Sequence, residues 1–305
     1  MTDSAALLAS VLVPTHDRSH TLRLAVGSVL AQEEPRLEVI IIGDGVTPEL
    51  RDEARALCSE DARVRFMDRE KGPNHGEIYR HDAIVAARSD AIFYLCDDDL
   101  FLPGHVGDLL ELLTTHNFVQ SLNGHIDPKG RVHFYPADLS DPETIRWHLR
   151  EDVWFNSVSL TGTAHSKSFY LEVDDPWTTT PAGRWPDHYQ WCKMFRHPGL
   201  RAATSSRMTT IQLPTTADGR ETWTPDERLA ELTRWAEVAA DPDGQQRIDA
   251  LVARGSTLQM ERDQRALLCD ASRIDRLTDE IERLRASRSW RLTRPLRRAR
   301  TWLGR

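Results

Sequence analysis

The sequence predicts an α/β fold, with a mostly parallel sheet flanked by helices and followed by a helical tail. Short apolar runs alternate with amphipathic segments over residues 10–95, and consecutive strand–helix units of this length form parallel sheets with helices on both faces. From residue 245 onward, apolar residues instead recur at helical spacing in a charged background. The two patterns divide the chain into a first part built on a sheet and a second part that is helical.

The strands and helices of the first part follow one another closely. The helix predicted over 21–30 places four apolar side chains on one face. The helix over 48–58 begins with a proline, which suits the first turn of a helix. In chain order the predicted elements are strand 10–13, helix 21–30, strand 37–42, helix 48–58, strand 64–67, helix 77–88 and strand 91–95.

The second half of the chain is less regular. Strands are predicted over 118–123 and 132–135, joined by a turn at 127–130, and 200–213 is mostly strand-like. The polar stretch 215–224 is typical of a linker. The organisation that these patterns predict is a main domain over 1–215, a linker and helix over 216–244, and a helical tail with a basic amphipathic end over 245–305.

Charge and composition narrow the class of protein. The chain has 305 residues and a net charge of −8, but residues 283–305 hold nine arginines and no acid, so residues 1–282 carry 30 basic and 47 acidic side chains. Such an acidic body is a poor nucleic-acid binder. No run approaches the roughly 18 apolar residues that span a bilayer, and no basic region precedes the first apolar run as in a secretory signal. The four cysteines lack zinc-site spacing, so we expect a cytoplasmic protein without disulfides.

Three consecutive carboxylates, Asp97, Asp98 and Asp99, come shortly after the apolar strand 91–95. We call them the acidic triplet. Like charges side by side repel one another, and a divalent cation relieves that repulsion. Carboxylate oxygens suit Mg²⁺ or Mn²⁺, which also accept the phosphates of a nucleotide as ligands. The alternative is an acidic loop, or the N-cap of a helix that follows Pro103.

Further residues lie at the predicted carboxyl ends of neighbouring strands. Pro14 and Thr15 follow the first strand, and Asp44 follows the second strand between two glycines. Ligands of open α/β sheets bind beyond these strand ends. We therefore expect Pro14, Asp44 and the acidic triplet to border one ligand site.

Five segments resemble, in order, the motifs of the inverting family-two glycosyltransferases. This resemblance implies a GT-A fold, which is Rossmann-like, and a nucleoside-diphosphate sugar as the donor. It spans roughly residues 9–200. The matching segments are the opening strand and turn 10–18, Asp44 between glycines, the group Asn74, Gly76 and Arg80, the run 96–99 with Pro103, and the segment 185–191 around Asp187.

The resemblance implies a role for each matching residue. Asp187 would be the catalytic base that takes the proton of the acceptor hydroxyl. Asp98 and Asp99 would bind Mg²⁺ or Mn²⁺, whose charge stabilises the departing diphosphate. The residues implied to bind the nucleotide are Pro14, Thr15, His16, Asp44, Arg80 and Asp97.

Some positions depart from the family pattern or have a simpler explanation. Cys96 stands where the family has the first Asp of its metal motif, and Pro186 where it has a Glu before the base. His16 and Asp17 replace an aromatic residue and an Asn. The simpler alternatives are a turn residue for Asp44, the N-cap of a helix over 188–196 for Asp187, an ion pair with Glu77 for Arg80 and an ordinary loop histidine for His16.

The helical tail carries two separate patterns. Arginines mixed with tryptophans and leucines over 289–303 predict binding to an anionic membrane surface, the alternative being a solvated basic end. A second pattern, the spacing of a coiled-coil seam, predicts a helical hairpin or a short helix that forms a homodimer. The seam residues are Ile274, Leu277, Ile281 and Leu284, with Leu267 one heptad earlier.

Together these patterns predict a metal-dependent inverting glycosyltransferase at the inner face of the plasma membrane. It would move a sugar from a nucleoside-diphosphate sugar to a glycan or lipid-linked acceptor in the synthesis of a surface or cell-wall glycan. One alternative is a sugar nucleotidyltransferase, which needs a glycine-rich loop after the first strand, whereas residues 14–18 contain no glycine. Another is a non-catalytic coiled-coil and membrane adaptor with a degenerate transferase domain.

Overall fold

The structure, a computed structural model, describes residues 6–135, 137–152, 155–215, 219–287 and 289–290. The chain divides into two compact units, Met1–Gly255 and Ser256–Arg305. The strands are β1 (Ala9–Thr15), β2 (Leu37–Asp44), β3 (Val64–Arg69), β4 (Ala91–Tyr94), β5 (Leu100–Phe101), β6 (Phe118–Gln120), β7 (Gly124–Ile126), β8 (Val132–Phe134), β9 (Thr163–Ser166), β10 (Ala202–Thr204) and β11 (Thr210–Ile211). The α-helices are α1 (Ser19–Leu30), α2 (Pro48–Glu60), α3 (Tyr79–Ala86), α4 (His105–Leu113), α5 (Pro142–His148), α6 (Lys167–Glu172), α7 (Pro186–Phe195), α8 (Pro225–Ala240) and α9 (Gly244–Ala286).

A seven-stranded, mostly parallel sheet forms the centre of the first unit. Its strand order is β10-β6-β9-β4-β1-β2-β3. β1 pairs in parallel with β2 and β4, β2 with β3, and β6 with β10, whereas β9 runs antiparallel to both of its neighbours. This arrangement confirms the predicted parallel sheet, and all seven elements predicted over 10–95 form within a few residues of their predicted bounds.

The two faces of the sheet are covered by separate helical layers. Successive side chains of a strand point to opposite faces, so Val11 and Val13 pack with α1, α2 and α4, whereas Leu12 packs on the other side with α3, α6 and α7. The core strands are apolar on both faces, as expected for strands that helices cover on both sides. The result is a three-layer α/β structure, as the alternation of strands and helices predicts.

A third apolar cluster lies outside the central sheet. It joins the hairpin β7–β8 and the pair β5–β11 to α8 and to Ile248 at the start of α9. The strand predicted over 118–123 is wrong in extent, because β6 ends at Gln120 and the chain then enters the hairpin. The strand-like stretch 200–213 forms two short strands in different sheets.

The predicted linker 215–224 is structured in its described part. Arg220 is 1% exposed, and its guanidinium donates two hydrogen bonds of 2.7 Å to Glu231. Arg220 also donates to the carbonyl of Ile126, 2.7 Å away. A buried ion pair therefore fixes a segment whose polar composition suggested a loose connection.

The helix α9 is continuous over 43 residues, Gly244–Ala286. The seam predicted in the tail therefore lies on one helix, without the turn that a helical hairpin within the tail requires. In the second unit the seam residues are exposed, from 47% at Ile281 to 70% at Leu267. Among the described residues, none of the helices has both the length and the apolarity that crossing a bilayer requires.

Candidate active site

The carboxyl ends of β1, β2 and β4 open into a cavity of about 410 Å³. The pairing of Thr15 with Gly43 brings the ends of β1 and β2 level, and Leu12 pairs with Tyr94 of β4. A larger cavity of about 810 Å³ is lined instead by residues of α1, α4 and α8. The predicted site residues that line the 410 Å³ cavity are Pro14, Thr15, His16, Asp44, Arg80, Asp97 and Asp187.

Asp97 is anchored by β1 and by the loop that follows it. Its Oδ2 accepts a hydrogen bond of 2.6 Å from the Thr15 hydroxyl, and its Oδ1 lies 3.1 Å from Nη1 of Arg18. The same Nη1 lies 2.6 Å from Oδ2 of Asp98, the most exposed carboxylate of the triplet. Burial and the neighbouring charge of Asp98 raise the pKa of Asp97 to about 7.

Asp99 is held from the opposite direction. Its Oδ2 accepts a hydrogen bond of 2.6 Å from the Thr161 hydroxyl, and its Oδ1 accepts one of 3.0 Å from the Leu213 N–H. Burial and Asp98 raise the pKa of Asp99 as well. The triplet thus concentrates more negative charge than its protein partners balance, which is a setting that favours a divalent cation.

The residues present fit a hard divalent cation. Ligand atoms of Cys96, Asp98 and Asp99 lie within 4.8 Å of one another. Burial raises the pKa of the Cys96 thiol well above its usual value, and a soft sulfur is in any case a poor ligand for a hard cation. Mg²⁺ and Mn²⁺ prefer carboxylate oxygens, which Asp98 and Asp99 supply.

At the other end of the cavity, Asp44 is bound by the loop that follows β3. Its Oδ2 accepts a hydrogen bond of 2.6 Å from Lys71 Nζ, and its Oδ1 accepts one of 2.6 Å from the Gly72 N–H. His16 donates from Nδ1 to the Asp44 carbonyl, 2.6 Å away. Gly76 adopts φ +61°, and a Cβ there would lie 2.3 Å from Cγ of Asp44. The carboxylate of Asp44 is therefore held by two donors of this loop, and His16 is bonded to the backbone carbonyl of the same residue.

Arg80 lies at the floor of the cavity. The residue is 6% exposed, and its guanidinium stacks 4.5 Å from the centre of the Trp177 ring. Its Nε and Nη1 have no hydrogen-bond partner among the described residues. Glu77, its expected alternative partner, instead accepts hydrogen bonds from the backbone N–H groups of Thr180 and His75. Nε and Nη1 are themselves buried, so Arg80 contributes a positive charge to the cavity wall rather than exposed N–H donors.

Asp187 faces the same cavity from the first turn of α7. The helix begins at Pro186 and its N-cap is Trp185, so Asp187 does not cap the helix and that alternative is wrong. Its Oδ1 accepts a hydrogen bond of 2.9 Å from the His188 N–H. Burial raises the pKa of Asp187 above its usual value, against the opposing pull of that N–H and of the Arg80 guanidinium.

Three partners of these carboxylates were not assigned a role from the sequence. Arg18 lies within the opening strand and turn 10–18, and its position just after the end of the first strand was the available signal. Lys71 and Thr161 lie in loops far from their partners in sequence, and Thr161 contacts Asp99 across 62 positions of the chain. A single arginine, lysine or threonine in a loop has no sequence pattern that distinguishes a site residue from an ordinary surface residue.

Two solved structures share the fold of this chain. Residues 1–349 of TarS from S. aureus, in complex with UDP-GlcNAc, superpose with a TM-score of 0.52 at 13% identity, covering 82% of this chain and 71% of that one. A mannosyltransferase from Pyrobaculum calidifontis, in complex with GDP-Man and Mn²⁺, superposes with a TM-score of 0.51 at 16% identity, covering 95% and 84%. These structures share the GT-A fold, in agreement with the sequence analysis.

Curated relatives match part of the chain. The succinoglycan biosynthesis protein ExoU of Rhizobium meliloti is 34% identical over 113 residues, which is 36% of this chain and 32% of that protein. The chain spans between a fifth and a third of the length of this relative and three glycosyltransferases from Rickettsia. The model of the family described as glycosyl transferase family 2 matches residues 10–174, more than half of the chain. The chain therefore belongs to glycosyl transferase family 2.

Proposed function

We propose that this glycosyltransferase is metal-dependent and inverting, and that it moves a sugar from a nucleoside-diphosphate sugar to a hydroxyl of a glycan or lipid-linked acceptor. The observation that carries the proposal is the single cavity that Asp44, Asp97 and Asp187 line together. A nucleotide-binding carboxylate, the edge of the acidic triplet and a carboxylate able to act as a base are the groups that such a transfer needs.

The donor nucleotide occupies the length of the cavity in this proposal. Pro14, Thr15, His16 and Asp44 surround the base, and the His16 ring offers a face for stacking. The diphosphate lies between Asp97 and Arg80, and the positive charge of the Arg80 guanidinium at the cavity wall favours phosphate. Support comes from the two structures of this fold that contain UDP-GlcNAc and GDP-Man.

Asp98 and Asp99 would hold Mg²⁺ or Mn²⁺ at the diphosphate end. A divalent cation there supplies positive charge against which the diphosphate leaves, without proton transfer. Thr161 and the Leu213 N–H fix the orientation of Asp99, and Thr15 fixes that of Asp97. The Mn²⁺ in the mannosyltransferase structure supports this assignment.

Asp187 would act as the general base. It takes the proton of the acceptor hydroxyl while that oxygen attacks the anomeric carbon from the side opposite the diphosphate, which inverts the configuration. A pKa raised by burial makes the carboxylate a stronger base once it is ionised. The acceptor belongs to a surface or cell-wall glycan in this proposal, which the succinoglycan biosynthesis relative supports.

A donor screen tests the proposal. The full chain is incubated with a panel of uridine and guanosine diphosphate sugars in Mn²⁺, Mg²⁺ or a chelator, and release of nucleoside diphosphate is measured. We expect release that needs the cation and falls about 10³-fold in Asp98→Asn, because the charge lost is worth several kcal/mol. The control Asp52→Asn, an exposed acid on α2, keeps full activity. Equal release in chelator, or a transfer product that retains the anomeric configuration of the donor, would contradict the proposal.

We propose further that α9 forms a homodimer through its apolar seam. Leu277, Ile281 and Leu284 are each about half exposed and lie on one stripe of the helix. Light scattering after size exclusion should give the mass of a dimer, and Ile274→Glu should give a monomer. Ser272→Glu, a substitution off the seam, should leave the dimer intact, and a monomeric wild-type protein would contradict the proposal.

The membrane prediction concerns residues 289–303, of which 291–303 lie outside the described residues. We propose that this arginine-rich end binds an anionic membrane surface, where each basic residue adds about 1 kcal/mol. The protein should sediment with phosphatidylglycerol vesicles at low salt and should stay in the supernatant at high salt. Vesicles of phosphatidylcholine are the control, and equal retention on both would contradict the proposal.

A further inference from the structure

The guanidinium of Arg18 lies directly against the acidic triplet. Its Nη1 contacts Oδ1 of Asp97 at 3.1 Å and Oδ2 of Asp98 at 2.6 Å. Its Nη2 lies 3.4 Å from the hydroxyl of Thr215. The side chain lines the cavity and remains 33% exposed, so the guanidinium lies at the cavity wall, where it has room to move.

Asp97 and Asp99 accept hydrogen bonds from further groups of the protein, whereas the partner of Asp98 is Arg18. Asp97 also accepts from Thr15, and both oxygens of Asp99 accept hydrogen bonds from Thr161 and the Leu213 N–H. For Asp98, Arg18 is the partner found among the described residues. The carboxylate of Asp98, a candidate ligand of a divalent cation, is thus the one that this arginine contacts.

A divalent cation and Arg18 therefore compete for the carboxylate of Asp98. Two positive groups within about 4 Å of each other repel strongly when partly buried, so the cation must displace the guanidinium. A nucleoside diphosphate changes the balance, because its phosphates add negative charge beside the cation. The planar, flexibly attached guanidinium of an arginine binds phosphate oxygens well.

We propose that Arg18 is a built-in counter-ion that couples metal binding to nucleotide binding. Without nucleotide, Arg18 neutralises Asp98 and keeps the affinity for divalent cations low. When cation and diphosphate arrive together, Arg18 moves from Asp98 to the diphosphate, so each ligand raises the affinity for the other, as reciprocal coupling requires. This inference rests on the metal site of the proposed function.

Binding of Mn²⁺, followed by the loss of the electron paramagnetic resonance signal of the free ion, tests the proposal on the full chain. It is measured with and without UDP or GDP in the wild type, Arg18→Gln and Arg18→Lys. In Arg18→Gln we expect at least about tenfold tighter binding of Mn²⁺ alone, because the competing charge is gone while an amide still bonds to the triplet. We also expect weaker nucleotide binding and a smaller effect of nucleotide on the Mn²⁺ affinity. Arg18→Lys keeps the charge and should remain close to the wild type.

The control is Arg51→Met, which removes another partly exposed arginine paired with an aspartate, 2.7 Å from Asp68. It should change neither Mn²⁺ nor nucleotide binding. Unchanged Mn²⁺ affinity and unchanged coupling in Arg18→Gln would overturn the role of Arg18 while leaving the metal site intact. Failure of every variant and of the wild type to bind Mn²⁺, with or without nucleotide, would overturn the metal site and this inference together.

Discussion

The two ends of the site cavity hold carboxylates in different ways. At one end a single carboxylate, Asp44, faces one cation, Lys71, and one backbone N–H. At the other end, where Asp97 lines the cavity, the three adjacent carboxylates of the triplet have one guanidinium, that of Arg18, in contact with Asp97 and Asp98. The chain itself balances the charge at the Asp44 end, whereas the triplet end keeps an excess of negative charge.

From this difference we infer that the Asp44 end serves nucleotide binding and the triplet end serves the chemical step. A charge-balanced carboxylate held rigidly by a loop can bind a ligand through fixed hydrogen bonds, and its loss weakens binding. A surplus of negative charge is suited to a cation whose charge matters most as the diphosphate leaves. We therefore expect changes near Asp44 to alter nucleotide affinity and changes at Asp98, Asp99 or Asp187 to alter turnover, whereas Arg18→Gln alters the binding of both ligands.

The largest expected effect is at Asp187. Asp187→Asn should lower kcat by about 10³-fold with little change in nucleotide affinity, because general base catalysis contributes 10²–10⁴-fold. In the wild type, kcat should rise with pH as Asp187 ionises, with a midpoint above the ordinary value of about 4 because burial raises its pKa. That acid limb should be missing in Asp187→Asn. An acid limb that persists unchanged in Asp187→Asn would contradict the role of Asp187.

The second-largest expected effect is on stability, and it concerns the segment that begins with Leu213 and contacts the triplet. Leu213 bonds to Asp99, Thr215 lies near Arg18, and the buried pair Arg220–Glu231 follows. Arg220→Met should lower the free energy of unfolding by about 3 kcal/mol, because it leaves the buried Glu231 with Arg234, 3.9 Å away, as its remaining cation. Removing Glu231 as well, in Arg220→Met/Glu231→Leu, should recover much of that loss. Urea denaturation measures both, and equal loss in the single and double variants would contradict the explanation.

The sequence predicted those parts of the site that the backbone fixes. β1, β2 and β4 have strong apolar patterns, and parallel register brings their carboxyl ends together, so the proximity of Thr15, Asp44 and Asp97 follows from the order of the strands. Asp187 was found only through its family motif, since nothing in its local pattern distinguishes a base from a helix cap.

The parts that could not be predicted depend on long-range contacts. Arg220 lies in a polar stretch, and its burial depends on Glu231 and on the Ile126 carbonyl, which lies 94 positions away. The stretch 118–123 was predicted as one strand, but β6 ends at Gln120, and the hairpin β7–β8 begins at Gly124 in a separate sheet. The local sequence pattern predicts which residues are buried, but it does not predict which distant residues they contact.

A smaller effect, confined to nucleotide affinity, is expected at Gly76. In Gly76→Ala the new Cβ would lie 2.3 Å from Cγ of Asp44, so the carboxylate must move. We expect at least a tenfold higher Kd for nucleoside diphosphate and a nearly unchanged kcat, since φ > 0 and the clash together cost more than about 1 kcal/mol. Gly104→Ala is the matched control, because Gly104 also has positive φ (+83°) but open space around its Cβ position. Equal weakening of nucleotide binding by both would show that the clash with Asp44 has no specific effect.

The smallest effect separates the two ends most directly. Lys71 is 43% exposed, so its ion pair with Asp44 is partly screened by solvent. Lys71→Met should raise the Kd for nucleoside diphosphate by about threefold to tenfold, because a charge-assisted hydrogen bond at a partly exposed site is worth about 1 kcal/mol. Calorimetry at two salt concentrations should show that high salt narrows the difference from the wild type. The affinity for Mn²⁺ alone should not change, because Lys71 contacts Asp44 and not the triplet. If Lys71→Met changed the Mn²⁺ affinity as much as Arg18→Gln does, the charges at the two ends of the cavity would be electrostatically coupled. The assignment of nucleotide binding to the Asp44 end and of the chemical step to the triplet end would then be wrong.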